Sequence, residues 1–354
     1  MKVLFLTRLY LPHIGGVELH IQNLVKELGS ETQITVVTEQ HEASLPLEEK
    51  VEKVTVLRIL LKNQKTNKWQ IWWWWLRHIS LLLHSDVIHV HDVFFWLLPY
   101  KCIFFWKKMY ITFHGYEGIN NPKWNQKLWH QVAEMLTEAN LCIGGFHQKW
   151  FKVIPSIISF GAVYSPKKNL SEVEILDRVT ARYAAKKPQI KIIFVGRLAS
   201  DTGILTYLEA VKILQTTHKI SLDVYGDGPQ RGLAEEAINS YKLPATLHGF
   251  VQAKDIPWHE YDVAFVSRYL SILESFIAML PVVSQYNVAI KKDYLCLSPF
   301  VEWIQVGQSA AQLVSGFEKV LSSEQIQKSH DAYIWAREQS WKKMAQNYKD
   351  LWQM

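Results

Sequence analysis

Three side chains with chemical capacity stand where apolar runs end: Arg197 after Ile190–Val195, His114 after Met109–Phe113, and Glu274 shortly after Asp262–Ser267. A guanidinium at a strand end can hold a departing diphosphate with two parallel hydrogen bonds, although an arginine there also reads as a strand cap or a partner of Asp201. The His114 imidazole can donate to a substrate oxygen. Ser271-Ile272-Leu273-Glu274 fits a helix capping box, with Ser271 as N-cap, and the same carboxylate could equally accept from a ribose diol. Pro12-His13-Ile14-Gly15-Gly16-Val17-Glu18 lets backbone N–H groups approach a phosphate at a helix start, or merely tightens a turn. It lacks the GxGxxG spacing and the Lys-Ser/Thr of a P-loop, so dinucleotide and ATP readings lose support. His89 and His91 share one strand face, and His89 reads as a packed residue. The chain has no Asp-x-Asp and no His/Cys cluster at ligand spacing, so no metal is expected.

The elements that must position these residues alternate. Apolar runs at Lys2–Thr7, Gln33–Thr38, Thr55–Leu60, Val87–His91, Met109–Phe113 and Leu141–Ile143 are separated by helix-sized segments. One of these, Gly16–Leu28, places Val17, Ile21, Leu24, Val25 and Leu28 on one face. After Ser165-Pro166 the chain turns polar as far as Pro188, and the rhythm restarts with Ile190–Val195, Ser221–Tyr225, Ala245–His248, Asp262–Ser267 and Val282–Gln285. The expectation is an α/β chain of two doubly wound, Rossmann-like domains facing each other across a cleft, at residues 1–165 and 189–325, with a linker over 166–188.

Composition agrees with a folded, globular chain: 354 residues, 49% hydrophobic and 20% charged. Cys102, Cys142 and Cys296 are odd in number and far apart, which predicts neither disulfides nor zinc and suits a reducing cytoplasm. No signal peptide or spanning helix is expected. Residues 1–188 carry 23 Lys+Arg against 16 Asp+Glu and ten of the 15 tryptophans, whereas the rest carries 16 against 17. The basic, aromatic half suits an anionic, partly apolar partner. No motif points to nucleic acid.

In order and spacing, the Gly15-Gly16-Val17-Glu18 turn, Val87–Asp92, Phe113-His114-Gly115, Phe194–Leu198, Val224–Pro229, His248–Val251, and Leu273-Glu274 before Leu280–Val283 resemble glycosyltransferase family 4. The resemblance implies a GT-B fold, a nucleotide-sugar donor of UDP or GDP type, no other cofactor, and transfer with retention to a glycan or lipid-linked acceptor. It also implies a final helical segment, 326–354, that returns to the first domain. On the matching positions, Gly15 and Gly16 would offer backbone N–H to the diphosphate, and Arg197 would stabilise the departing nucleotide. Glu274 would bind ribose, the backbone at Phe250 and Val251 would meet the base, and His114 would face the reacting sugar. Thr202 and the segment Tyr269-Leu270-Ser271 complete the expected donor site.

Two positions depart from the family pattern. Thr202 stands where a lysine usually reaches the diphosphate, and Val266 stands eight residues before Glu274, where a second glutamate is usual. Altered donor recognition is the preferred reading. A catalytically silent nucleotide- or glycan-binding protein and a nucleotide-sugar epimerase are the alternatives.

Trp69 and Trp72–Trp75 lie in a helical segment, followed by Phe94-Phe95-Trp96 and Phe104-Phe105-Trp106-Lys107-Lys108. Four consecutive tryptophans point to every side of a helix, so some must be exposed. Indoles at headgroup level with Lys or Arg beside them fit peripheral contact with an anionic membrane on its inner face. An aromatic helix packed in the core or on a partner is the other reading.

Overall fold

The computed structural model describes residues 1–29, 31–62, 67–115, 120–164, 170–184 and 188–353. Two compact units divide the chain: Met1–Tyr116, Pro122–Ser159 and Trp341–Met354 form the first, and Phe160–Ser340 forms the body of the second.

The first unit is built on an eight-stranded sheet of β1 (Lys2–Leu6), β2 (Gln33–Glu39), β3 (Glu48–Val51), β4 (Val54–Ile59), β5 (Val87–His91), β6 (Met109–Phe113), β7 (Ala139–Ile143) and β8 (Ile157–Ser159). Their order is β3-β4-β2-β1-β5-β6-β7-β8, parallel throughout except that β3 pairs antiparallel with β4. Strands β5, β6 and β7 are buried along their whole length, as expected of parallel strands covered on both faces. The apolar runs of the sequence supply six of these strands. Strand β3 reads Glu-Glu-Lys-Val and is held at the edge because the buried Arg58 guanidinium of β4 bonds Glu49, the Pro46 carbonyl at 3.0 Å and the Leu11 carbonyl at 2.8 Å.

The second unit carries β9 (Ile190–Val195), β10 (Ile220–Tyr225), β11 (Ala245–Gly249), β12 (Val263–Phe265), β13 (Val282–Gln285) and β14 (Ile304–Gly307), all parallel, in the order β11-β10-β9-β12-β13-β14. Strand order reverses between β9 and β12, the position where doubly wound sheets bind ligands at their carboxyl ends. Its core gathers Phe194, Tyr207, Leu208, Phe265 and Phe317.

Residues 166–188, read as a polar linker, contain the helix Glu172–Ala184. It buries Ile175 and Val179, one turn apart, with Tyr333 of the helix Gln325–Glu338. Two apolar residues one turn apart suffice for docking, and the surrounding charges hide them from a reading of composition. The C-terminal stretch is two helices: Gln325–Glu338 belongs to the second unit, and Trp341–Leu351 packs in the first, against Gly16–Leu28, β7 and β8.

At the carboxyl ends of β9–β11, backbone closes on backbone. Gly196 donates to Tyr225 O at 3.0 Å, Leu198 to Asp227 O at 2.9 Å, and Gly226 to Gly249 O at 2.7 Å. Gly226 has φ 148°, and a Cβ there would lie 1.9 Å from Gly196 O. Gly226→Ala is therefore expected to lose at least about 2 kcal/mol. Gly232→Ala, in a helix with nothing within 4 Å of the added carbon, is expected to gain about 0.5–1 kcal/mol. Urea denaturation of both variants checks this, and equal effects would refute the close approach.

Candidate functional site

Arg197 leaves the carboxyl end of β9 at the point of order reversal. Its side chain is exposed, and its Nη2 donates to both Asp201 carboxylate oxygens at 3.2 Å. This is the pairing that the four-residue spacing allows. Asp201 is buried and also accepts from Arg268, which follows β12, the neighbouring strand across the reversal. Burial pushes the Asp201 carboxyl up, but Arg268 and Arg197 outweigh it and hold the group below the ordinary carboxylate range.

Under this turn lies Lys291, wholly buried. Its ammonium donates to the Asp201 carbonyl, to Ser267 Oγ at 3.1 Å and to Gln285 Oε1 at 3.3 Å. Burial, with Arg268 adding repulsion, brings its pKa well below the usual lysine value, although Asp201 works against the shift. Thr202 is buried, and its hydroxyl bonds the Arg197 and Ala199 carbonyls, so it shapes the turn from within. Gly203, with φ 80°, starts the helix Ile204–Leu214, and a Cβ there would meet Gln285 Oε1 at 2.2 Å. A backbone turn, a helix N-terminus and two guanidinium groups thus converge at one strand-end position, a setting suited to an anion.

The other residues expected on the donor side sit around the same sheet edge. Phe250 is half-exposed and Val251 half-buried after β11. The helix after β12 begins at Tyr269, with Arg268 as its N-cap, so Ser271 is its third residue and donates to Arg268 O at 3.0 Å. No capping box forms. Tyr269 is buried, stacks on Tyr294 at 3.8 Å and donates its backbone N–H to the Tyr294 hydroxyl oxygen at 2.8 Å. Leu270 packs near Gly161. Glu274 is half-buried, its carboxylate has no hydrogen bond or ion pair among the described residues, and burial pushes it up to about 8. It shares no bond with the Arg197–Asp201 cluster.

The backbone donation from Tyr269 to the Tyr294 hydroxyl also fixes the helix start beside Arg268. Arg268 and Lys291 carry no motif and were missed. Lys291 did leave a trace, because helical spacing sets it on the stripe of Tyr294 and Leu295, where a lysine is out of place.

In the first unit, Gly15 is the N-cap of Gly16–Leu28, and Glu18 folds back so closely that a Cβ at Gly15 would lie 2.4 Å from its Oε2. Glu18 also pairs with His13 at 3.3 Å. Beside Gly16 there is open space. His114 follows β6. Its Nε2 meets His91 Nδ1 at 2.8 Å, and its backbone N–H donates to Asp92 Oδ1 at 3.1 Å. His91 Nε2 is buried without a partner. An orphaned acceptor is cheaper than an orphaned N–H, so His91 carries its proton on Nδ1 and donates to His114, whose own proton is then on Nδ1.

Behind this pair, the Trp352 indole donates to His89 Nδ1 at 3.0 Å, which puts the His89 proton on Nε2, donated to Thr112 Oγ1 at 2.8 Å. Thr112 meets the Tyr348 hydroxyl at 2.7 Å, and Tyr348 meets His20 Nε2 at 3.0 Å. His89 is thus packed and bonded. Burial brings His20 down to about 3 and takes His89, His91 and His114 well below the ordinary imidazole value, with neighbouring histidines adding to the shift in those three.

These imidazoles are neutral when folded, whereas the unfolded chain takes up protons near pH 6.5. Their stabilisation is complete above that pH and is lost as the pH falls, by about 1.4 kcal/mol per pH unit for each group that stays neutral. The urea midpoint, followed by tryptophan fluorescence, is expected to drop steeply from pH 7 to pH 5. A flat midpoint would contradict the neutral assignment.

Two family descriptions match the sequence in succession: Glycosyltransferase Family 4 over residues 14–144 and Glycosyl transferases group 1 over residues 189–295. No curated protein matches. Among solved structures, the chain is similar to sucrose-phosphate synthase (tll1590) from Thermosynechococcus elongatus, with 13% identity, TM-score 0.73, and 99% of this chain and 98% of that one covered. Anabaena Alr3699/HepE in complex with UDP and glucose is similar at 13% identity and TM-score 0.69, covering 99% and 98%. WaaG, a glycosyltransferase involved in lipopolysaccharide biosynthesis, is similar at 15% identity and TM-score 0.65, covering 98% of each chain. At these identities the structural likeness speaks for the fold.

Proposed function

Because the chain is a family 4-type glycosyltransferase with a GT-B fold, we propose that it transfers a hexosyl group from a UDP- or GDP-sugar to a glycan or lipid-linked acceptor, with retention and without a metal ion. The observation that carries this reading is the exposed Arg197 guanidinium, held by Asp201 at the order reversal of the second sheet. The UDP and glucose bound to the similar Anabaena protein support the donor class. In the reaction, an acceptor hydroxyl oxygen bonds the anomeric carbon as the bond from that carbon to the diphosphate oxygen breaks. The electron pair leaves with the nucleoside diphosphate, and the hydroxyl proton passes to a departing phosphate oxygen. Arg197 opposes the charge that develops there.

Glu274 and the backbone at Phe250 and Val251 are assigned to ribose and base. The backbone of Tyr269, Leu270 and Ser271 borders the sugar, and Thr202 acts by shaping the turn. In the first unit, the N–H groups of Gly15 and Gly16 are assigned to an anionic group and His114 to the sugar.

Incubation with a panel of UDP- and GDP-sugars is expected to give thermal stabilisation and slow donor hydrolysis with at least one of them. Stabilisation without turnover would favour a binding protein, and no response to any donor would end the transferase reading.

A peripheral contact with an anionic membrane extends the acceptor class. In the helix Asn67–Arg77, Trp75 is buried, Trp72 donates to Phe95 O at 2.9 Å and Trp74 stacks on His78 at 3.8 Å. Trp69, Trp73 and Leu76 form an exposed stripe at spacings of four and three, with the Arg77 guanidinium 5.1 Å from the Trp73 ring centroid. Right-handed crossovers place this helix, Leu98–Ile103 and Trp124–Leu136 on one face of the sheet. Phe105, Trp106 and Trp124 are also exposed, and Lys68, Arg77 and Lys123 accompany them. Indoles with basic neighbours suit an anionic headgroup layer. No helix among the described residues is long and apolar enough to cross a membrane. Flotation with phosphatidylglycerol vesicles is expected to carry the protein upward, severalfold less for Trp69→Ala/Trp73→Ala and at high salt. Failure to float with such vesicles at low salt removes the contact.

A further inference from the structure

Resting on the donor-site reading above, we infer that Arg268 is a second diphosphate-binding residue, forming with Arg197 a two-guanidinium clamp gathered on Asp201. The two arginines come from β9 and β12, the adjacent strands that flank the order reversal, and they meet on one carboxylate although 67 residues separate Arg268 from Asp201. Both remain reachable, with 65% of the Arg197 side chain and 31% of the Arg268 side chain exposed, while the carboxylate between them is 10% exposed.

A buried carboxylate that accepts from both guanidinium groups brings them to one point, where the oxygens of an oxyanion can take its place. A diphosphate offers more oxygens and more charge than Asp201, so the forks can turn to it without losing their anchor. Lys291 sets the floor. Its terminal nitrogen bonds the Asp201 carbonyl, Ser267 Oγ and Gln285 Oε1, and so holds the turn in place from beneath. Thr202, whose hydroxyl is committed to the Arg197 and Ala199 carbonyls, supplies no cation here. The second cation reaches the site from the loop after β12. Arg268 binds by charge and by its planar fork, so its contribution falls on the diphosphate and not on the nucleoside.

The test is calorimetric titration of the full-length protein with UDP, GDP, UMP and GMP, for the native chain and for Arg197→Ala, Arg268→Gln and Arg268→Lys. The native chain is expected to prefer one nucleoside diphosphate over its monophosphate. Arg268→Gln is expected to weaken the diphosphate about tenfold and to narrow that preference, leaving the monophosphate within about twofold; Arg268→Lys should recover part of the loss. If Arg197→Ala weakens diphosphate binding and Arg268→Gln does not, the clamp is refuted and the donor site stands. Equal weakening of mono- and diphosphate by Arg268→Gln also refutes it, since a structural role alone would do that. If no diphosphate binds the native chain, or Arg197→Ala changes nothing, the donor-site reading itself falls. Should Arg268→Gln not fold, the ratio of diphosphate to monophosphate affinity in Arg268→Lys decides, and an unchanged ratio overturns the clamp.

Discussion

Everything at the carboxyl edge of the second sheet depends on how closely the backbone after β10 approaches the backbone after β9. The pair Gly196 and Gly226 lets main chain touch main chain, and the bonds at Leu198 and Gly249 continue the seam. Once those loops are locked, the turn from Arg197 to Gly203 has one path, and its polar groups must be satisfied along it. Thr202 closes it from inside, Lys291 supports it from below and Asp201 faces the arginines. A flexible cationic side chain is thereby aimed by rigid main chain, which cuts the entropy lost when an anion binds.

The first unit solves a different problem with a similar economy. A row of imidazoles in the centre of a parallel sheet is costly unless each ring finds a partner. Here the His89 and His20 rings are bonded in series through Trp352, Thr112 and Tyr348, so that a single indole donor sets the tautomer of His89. His91 Nε2 remains without a partner, next to the imidazole that stands at the end of β6. The His91–His114 pair is therefore bonded apart from the His89 series and meets it through ring contact, His114 lying edge-on to His20 at 4.8 Å.

Much of this was legible in the sequence, for identifiable reasons. Buried parallel strands must be continuous apolar runs, so β1, β5, β6 and β9 announce themselves, and the glycine-bearing turns mark their carboxyl ends. Arg197 and Asp201 are four residues apart, within range of a local reading. Strand β3 was not legible, because its four residues are not an apolar run and its Glu49 is held by a buried arginine of the neighbouring strand. The helix Glu172–Ala184 hid behind its charges, and the N-cap lies at Arg268, three residues before Ser271, because Tyr269 is pinned by Tyr294, a contact 25 residues distant. Arg268 and Lys291 meet Asp201 across 67 and 90 residues, where no periodicity speaks.

The last helix has a consequence for how the molecule is made. Trp341–Leu351 completes the first unit, and Tyr348 and Trp352 supply partners to His20, Thr112 and His89. On the ribosome the opening 159 residues emerge early, yet these buried groups wait for the final dozen or so residues of the chain. The second unit, drawn chiefly from the continuous stretch Phe160–Ser340, has its own strands in hand well before then. Synthesis from the N-terminus therefore does not give folding from the N-terminus: the half translated first is the half finished last.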